Sequence, residues 1–454
     1  MSAVNLIFKT VVLGTLGLFA ISGCSKDDNG NGPMEVISRD FTVTVSNVSE
    51  AKVFSGSGVF NTPVGASQPG PLGPGAAYEF SFSAAPGSKL SFATMFVPSN
   101  DFYYAPDENG IELYDGSGNQ ISGNITQMFM LWDAGTEINQ EPGLGMDQPQ
   151  RQSGPNTGAA DPTNEVRLAP DDFNNLPAVS EVIEVTLTAM APTEFTVRIE
   201  NVSNSTTLQT SNGNSQAVPL APGVWVIHQD AAPLFVGNQM DYGDGLEALA
   251  EDGDPGSLFS ALDAETGLTN LLAPGVWAVH NAADPLFTAN QPDRGEGLEA
   301  LAEDGDPGML SGNVASRAGV LSHGVFNTPD GSSQPGPLLP GHAYSFSFSA
   351  SAGEYLSFAS MFVQSNDLFY APDGMGITLF EADGQPVSGD VTSQIMLWDA
   401  GTEVNEKPGF GLHQAPRQSG PDSGMDENGN VRLVNDGYSY PASSEVLQVT
   451  ISVQ

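Results

Sequence analysis

Leu131-Trp132-Asp133-Ala134-Gly135-Thr136-Glu137 returns unchanged as Leu397-Trp398-Asp399-Ala400-Gly401-Thr402-Glu403. The apolar run 128–132 before it predicts a strand, and Asp133 opens a turn. On one straight strand Asp133 and Glu137 would stand about 13 Å apart at roughly 3.3 Å per residue, too far to share an ion. Gly135 lets the chain curl between them, because glycine takes positive φ without steric cost. Two carboxylates drawn to one point repel unless positive charge lies between them. The chain offers only 13 Lys and Arg against 54 Asp and Glu. A divalent cation in each copy is the economical answer.

Outward from this stretch the duplication widens. Asp101 to Asp367, Asp133 to Asp399 and Arg151 to Arg417 are all separated by 266 positions, so one unit is used twice. Its opening strand, Phe41-Thr42-Val43-Thr44-Val45, has a twin in Phe195-Thr196-Val197-Arg198-Ile199. Tyr78, Phe80 and Phe82 alternate with Glu79, Ser81 and Ser83, which predicts a strand with one buried and one wet face. The evenly apolar run 90–97 predicts a central strand. Short strands punctuated by 52 Gly and 33 Pro indicate an all-β fold, two tandem antiparallel β-sandwiches. The expected domains are 39–190 and 194–454, joined by a short linker around Met190-Ala191-Pro192-Thr193.

The second unit carries a tandem insertion, about 208–312, with Ala221-Pro222-Gly223-Val224-Trp225 and Ala273-Pro274-Gly275-Val276-Trp277 each followed by the same Gly-Leu-Glu-Ala-Leu-Ala-Glu-Asp-Gly-Asp-Pro-Gly string. Leu246, Leu249 and Ala250 fall at helical spacing, predicting a short amphipathic helix that Gly253 stops. Two copies cannot fill one groove. One is expected on its own sandwich and the other on the first unit, which has no such helix.

The net charge of −41 repels phosphate backbones and anionic lipid, excluding nucleic acid and electrostatic membrane docking as modes of binding. An apolar run at 11–21 ending in Ile21-Ser22-Gly23-Cys24 reads as a lipoprotein signal peptide (1–23) with Cys24 lipidated, followed by a polar tether (24–38). The one cysteine allows no disulfide framework. The expected location is a bacterial cell envelope, at the outer membrane or cell surface, with membrane attachment by the lipid anchor only.

The segments Met95-Phe96-Val97-Pro98-Ser99-Asn100-Asp101-Phe102 and Trp132-Asp133-Ala134-Gly135-Thr136-Glu137, with their twins from Met361 and Trp398, resemble the spondin N-terminal domain. The resemblance covers nearly all of the chain after the tether and implies an antiparallel β-sandwich with a bound calcium ion. Carried over, the ligands are Asp101, Asp133 and Glu137 in the first unit and Asp367, Asp399 and Glu403 in the second, one Ca2+ per domain. The chain departs from the family in having Glu as the last ligand, Phe102 and Leu368 where tryptophan is usual, and Gln364 for the proline at Pro98. All-oxygen ligands fit calcium better than zinc.

Other constellations are weaker. His228 and His280 recur with the duplicated segment and read as packing residues. Arg151 and Arg417 read either as partners for acids of the metal loop or as exposed. Asp426-Glu427-Asn428-Gly429-Asn430 lacks the closing Glu of an EF-hand and reads as a polar loop. No nucleophile elbow, zinc-protease motif or phosphate-binding glycine loop occurs. The expected protein is a non-catalytic, calcium-binding adhesion or binding molecule with an extracellular protein or glycan as partner. The alternatives are an enzyme acting on extracellular polysaccharide or peptide, and a subunit of a cell-surface assembly.

Overall fold

A computed structural model describes residues 38–229 and 232–454. Residues 1–37, which include the stretch read as a signal peptide, Cys24 and all but the last residue of the stretch read as a tether, lie outside them. Residues 38–454 form one compact unit of mostly antiparallel strands, arranged as two sandwiches of like design. No helix among the described residues is long and apolar enough to cross a membrane.

In the first sandwich, strands Ala77–Ser83, Glu194–Asn201, Ile183–Ala191 and Gly123–Asn124 form one sheet in that order. Tyr78, Phe80 and Phe82 face inward and Glu79 and Ser81 outward, as the alternation predicts, whereas Ser83, expected outward, is buried and accepts a hydrogen bond from Lys407 Nζ at 2.6 Å. The second sheet runs Gly56–Phe60, Leu220–His228, Lys89–Phe96, Phe102–Ala105, Met130–Asp133, Arg167–Leu168. Its strands are apolar on both faces because both are covered. Phe92, Phe96 and Ile227 meet the first sheet, while Ala93, Val224 and Val226 meet helices α1 (Leu246–Asp252) and α2 (Gly256–Ala264). Gly253, at φ 68°, stops α1 by donating its N–H to the carbonyls of Ala248 and Leu249.

The second sandwich repeats this plan. One sheet is Ala343–Ser351, Ser38–Asn47, Leu447–Val453, Gly389–Asp390. The other is Val320–Phe326, Leu272–His280, Tyr355–Phe362, Leu368–Ala371, Met396–Asp399, Arg432–Leu433. Helices α3 (Leu298–Asp304) and α4 (Gly308–Val314) cover its outer face. The first helical copy thus docks on the first unit and the second on its own, as two copies and two grooves predict.

The sheets do not follow the expected boundaries at 39–190 and 194–454. Strand Ser38–Asn47 pairs with Ala343–Ser351, from Ser38↔Ser351 to Ser46↔Ala343, and with Leu447–Val453. Its twin Glu194–Asn201 pairs instead with Ala77–Ser83 and Ile183–Ala191. The first sandwich is thus one continuous stretch, about 54–266, inserted after the opening strand of the second. The cause is local: the segment read as a linker around Pro192-Thr193 is a tight antiparallel hairpin, and it places 194–201 beside 183–191. The opening strand is left to fill the equivalent slot in the other sandwich. The two crossing segments bind each other where they meet, with Phe54 N–H donating to Glu265 O (3.1 Å) and Gly267 N–H to Phe54 O (2.9 Å).

Candidate metal centre

Asp101 follows the turn 96–99 and Asp133 ends the strand Met130–Asp133; Phe102 and Asp133 are directly paired across neighbouring strands, which brings the two acids together. Asp367 and Asp399 meet through the Leu368↔Asp399 pair. All four side chains are fully buried. Asp101 Oδ2 accepts the N–H groups of Thr136 (3.1 Å) and Glu137 (3.1 Å); Asp367 Oδ2 accepts those of Thr402 (3.0 Å) and Glu403 (3.2 Å). Gly135 (φ 70°) and Gly401 (φ 69°) make this curl possible, and a Cβ at either would strike the backbone of the facing loop, at Glu165 or Asn430. Their N–H groups donate to Asp133 Oδ1 and Asp399 Oδ1, both at 2.7 Å. Asp101 Oδ1 and Asp367 Oδ1 accept nothing.

The second aspartate of each pair meets a basic residue that sequence reasoning missed. Arg167 Nη2 reaches Asp133 Oδ2 (2.8 Å) and Asp161 Oδ2 (2.6 Å). Arg432 Nη2 reaches Asp399 Oδ2 (2.7 Å) and Glu427 Oε2 (2.8 Å). Asn139 and Asn405 donate to the same Asp133 and Asp399 oxygens at 2.8 Å. The repeated Val-Arg-Leu at 166–168 and 431–433, in a chain so poor in bases, was the available signal. Arg151 and Arg417, which stood out instead, bond backbone carbonyls and the neighbouring Gln148 and Gln414, not acids.

Of the expected ligands, the two aspartates of each unit come together and the glutamates turn aside. Glu137 Oε1 accepts Gly158 N–H (2.5 Å) and Glu403 Oε1 accepts Gly424 N–H (2.6 Å), with Asn100 and Asn366 on the other oxygens. A Cβ at Gly158 or Gly424 would overlap these carboxylates, so both glycines shape a cradle for them. In the second sandwich the third acid within reach of one ion is Glu427, whose ligand oxygen lies within 4.8 Å of those of Asp367 and Asp399. Glu427 belongs to the stretch read as a polar loop.

Burial and the Asp133 charge push Asp101 well above the usual carboxylate range. Burial and Asp399 raise Asp367 to about 7. Arg432 is partly buried, which opposes its charge, yet Glu427 and Asp399 hold it more firmly protonated. Counted formally, three carboxylates and one guanidinium leave each centre two negative charges. In the second sandwich, Asp367, Asp399 and Glu427 form a group of acids that could hold a metal ion. The donors are hard oxygens, and opposite oxygens of a calcium shell lie about 4.6–5.2 Å apart, so the spacing of Asp367, Asp399 and Glu427 is compatible with a hard divalent cation.

His228 and His280 are buried at the ends of paired strands, each Nε2 bonded to a serine hydroxyl at 2.9 Å, Ser91 and Ser357. No family model and no curated protein matches the chain.

Proposed function

We propose that the protein is a non-catalytic binding or adhesion molecule of the bacterial cell envelope, held by a lipid on Cys24 and stiffened by one calcium ion in each sandwich. The observation that carries this reading is the buried Asp–Asp pair with one oxygen unpartnered, built twice from the same residues. Asp101 with Asp133, and Asp367 with Asp399 and Glu427, would hold the ions; Glu137 and Glu403 contribute their backbone N–H to the first aspartate and brace the loop. Their complete burial suits a structural ion and gives a polymer substrate no path to the acids. The acidic surface favours a partner of neutral or basic character, an extracellular protein or glycan.

At a free calcium level about 100 times the dissociation constant each ion adds about 2.7 kcal/mol. Melting the purified protein in excess calcium and in EDTA tests the reading. A higher melting temperature in calcium is expected, with Asp133→Asn and Asp399→Asn each removing part of the difference. Equal melting in both buffers overturns it.

A further inference from the structure

One difference between the two sandwiches falls on the loop that docks against the first helix of each. Glutamines at matching positions dock the following loop onto the first helix of each sandwich: Gln152 Nε2 donates to Asp252 Oδ1 (2.6 Å), and Gln418 Nε2 to Asp304 Oδ1 (2.8 Å). Four residues beyond each glutamine the loop faces the same helix. In the first sandwich that residue is Asn156, and its amide donates to Glu247 Oε1 at 2.7 Å. In the second it is Asp422, which has no proton to give. Carboxylate oxygens of Glu299, Glu303 and Asp422 there lie within 4.8 Å of one another.

Glu303 makes this more than a cluster of surface acids. It is 1 % exposed, and no hydrogen bond of good geometry reaches either of its oxygens, the Thr402 hydroxyl lying only close enough to favour its charged form. Its counterpart Glu251 accepts the Thr136 hydroxyl at 2.7 Å. A carboxyl buried so poorly satisfied keeps its proton unless a cation takes the proton's place. The cavity over this face, about 320 Å³, is lined by Asp293, Glu299, Asp422 and Asp426 and by no basic residue. Of the nearby arginines, Arg317 is paired with Glu296, and Arg294, which does not line the cavity, donates through Nη2 to Asp284 O at 3.0 Å while its Nη1 has no partner.

We infer that Glu299, Glu303 and Asp422 form a further divalent-cation site, of calcium type, which pins the loop 419–424 to helix α3 and exists only in the second sandwich. Three hard oxygens with the spacing of a calcium shell, open to water on the cavity side, leave room for the waters that complete about 6–8 ligands. In the first sandwich the Asn156–Glu247 hydrogen bond does the same mechanical work without an ion. The site shares no side chain with the Asp367 centre.

The test counts ions on the full chain. Protein dialysed against excess calcium is assayed by elemental analysis and melted in calcium and in EDTA. Asp422→Asn restores the amide of the first sandwich. It should bind one ion fewer than the parent, melt higher than the parent in EDTA, and gain less from calcium. Glu303→Gln should lose the same single ion. Asp399→Asn should lose a different one, so that Asp399→Asn with Asp422→Asn loses two. An unchanged ion count in a folded Asp422→Asn variant overturns the site. If instead only Asp399→Asn and Asp133→Asn leave the count unchanged, the Asp101 and Asp367 centres fall and this one stands.

Discussion

Arg167 and Arg432 decide how the buried acids of each centre are balanced. Removing one partner of a buried ion pair typically costs about 3–5 kcal/mol, because the other charge is left uncompensated. Arg167 is partly exposed, so Arg167→Met should cost toward the lower end. If calcium enters beside Asp101 and Asp133, the variant pocket is more negative and binds the ion more tightly. Urea unfolding should then show a larger loss in EDTA than in calcium; equal losses would mean that the guanidinium alone neutralises the pair. Glu251 supplies a second measurement. Burial raises its carboxyl from the ordinary 4.5 to about 8. The folded protein therefore keeps a proton that the unfolded chain releases, so this group costs nothing below about pH 4.5, erodes stability as the pH climbs toward 8, and levels off above. Glu251→Gln keeps an acceptor for Thr136 and should flatten that slope, gaining about 1–2 kcal/mol at pH 8 once solvent screening near the helix end is allowed for. At this scale the aspartates were legible because repetition and turn chemistry both marked them. Glu403 was not, since a side chain four residues past an aspartate can swing either into the centre or onto Gly424, and only the facing loop decides. That loop, through Glu427 and Arg432, is joined to the centre by folding and not by sequence spacing.

Helices α1 and α3 have the same sequence, Leu-Glu-Ala-Leu-Ala-Glu-Asp, and the same burial of both leucines. Each works as a wedge on the outer face of a sheet whose strands are apolar on both sides. Leu249 and Leu301 are fully buried, so Leu249→Ala and Leu301→Ala should each cost about 2–5 kcal/mol. Hydrogen exchange should place the loss in different regions: around Lys89–Phe96 for the first variant and Tyr355–Phe362 for the second. The alternation in 78–83 and the helical spacing at 246–250 were readable because periodicity reports which face is buried. The partner of the opening strand was not. Phe41-Thr42-Val43 and Phe195-Thr196-Val197 present the same apolar face, and Asn47 and Asn201 make matching pairs of bonds, to Asn270 O and Leu338 O in one case and Leu72 O and Val218 O in the other. Pattern alone cannot choose between two equivalent slots. The hairpin at 192–193 does, by leaving no room for a second candidate beside 183–191.

Over the whole molecule the excess of carboxylates works against compactness through mutual repulsion. Raising sodium chloride from about 10 to 150 mM shortens the screening length from about 30 to 8 Å, so the melting temperature should rise with salt. A fall would mean that the ion pairs around Arg167 and Arg432 outweigh the net charge. The insertion of one sandwich into the other has a sharper consequence. Ser38–Asn47 is an inner strand of its sheet, with neighbours on both sides, and contributes Phe41, Val43 and Val45 to the core of the second sandwich. A chain beginning after residue 48 therefore loses a strand from the far end of its own sequence. Exchange protection should fall at 343–351 and 447–453 while 77–83 and 183–191 stay protected. A synthetic peptide of residues 38–47 should restore it, since the empty slot exposes two unpaired strand edges and an apolar groove that fit this sequence in one register. Loss of protection in the first sandwich instead would place the opening strand where the repeat had suggested, beside 77–83.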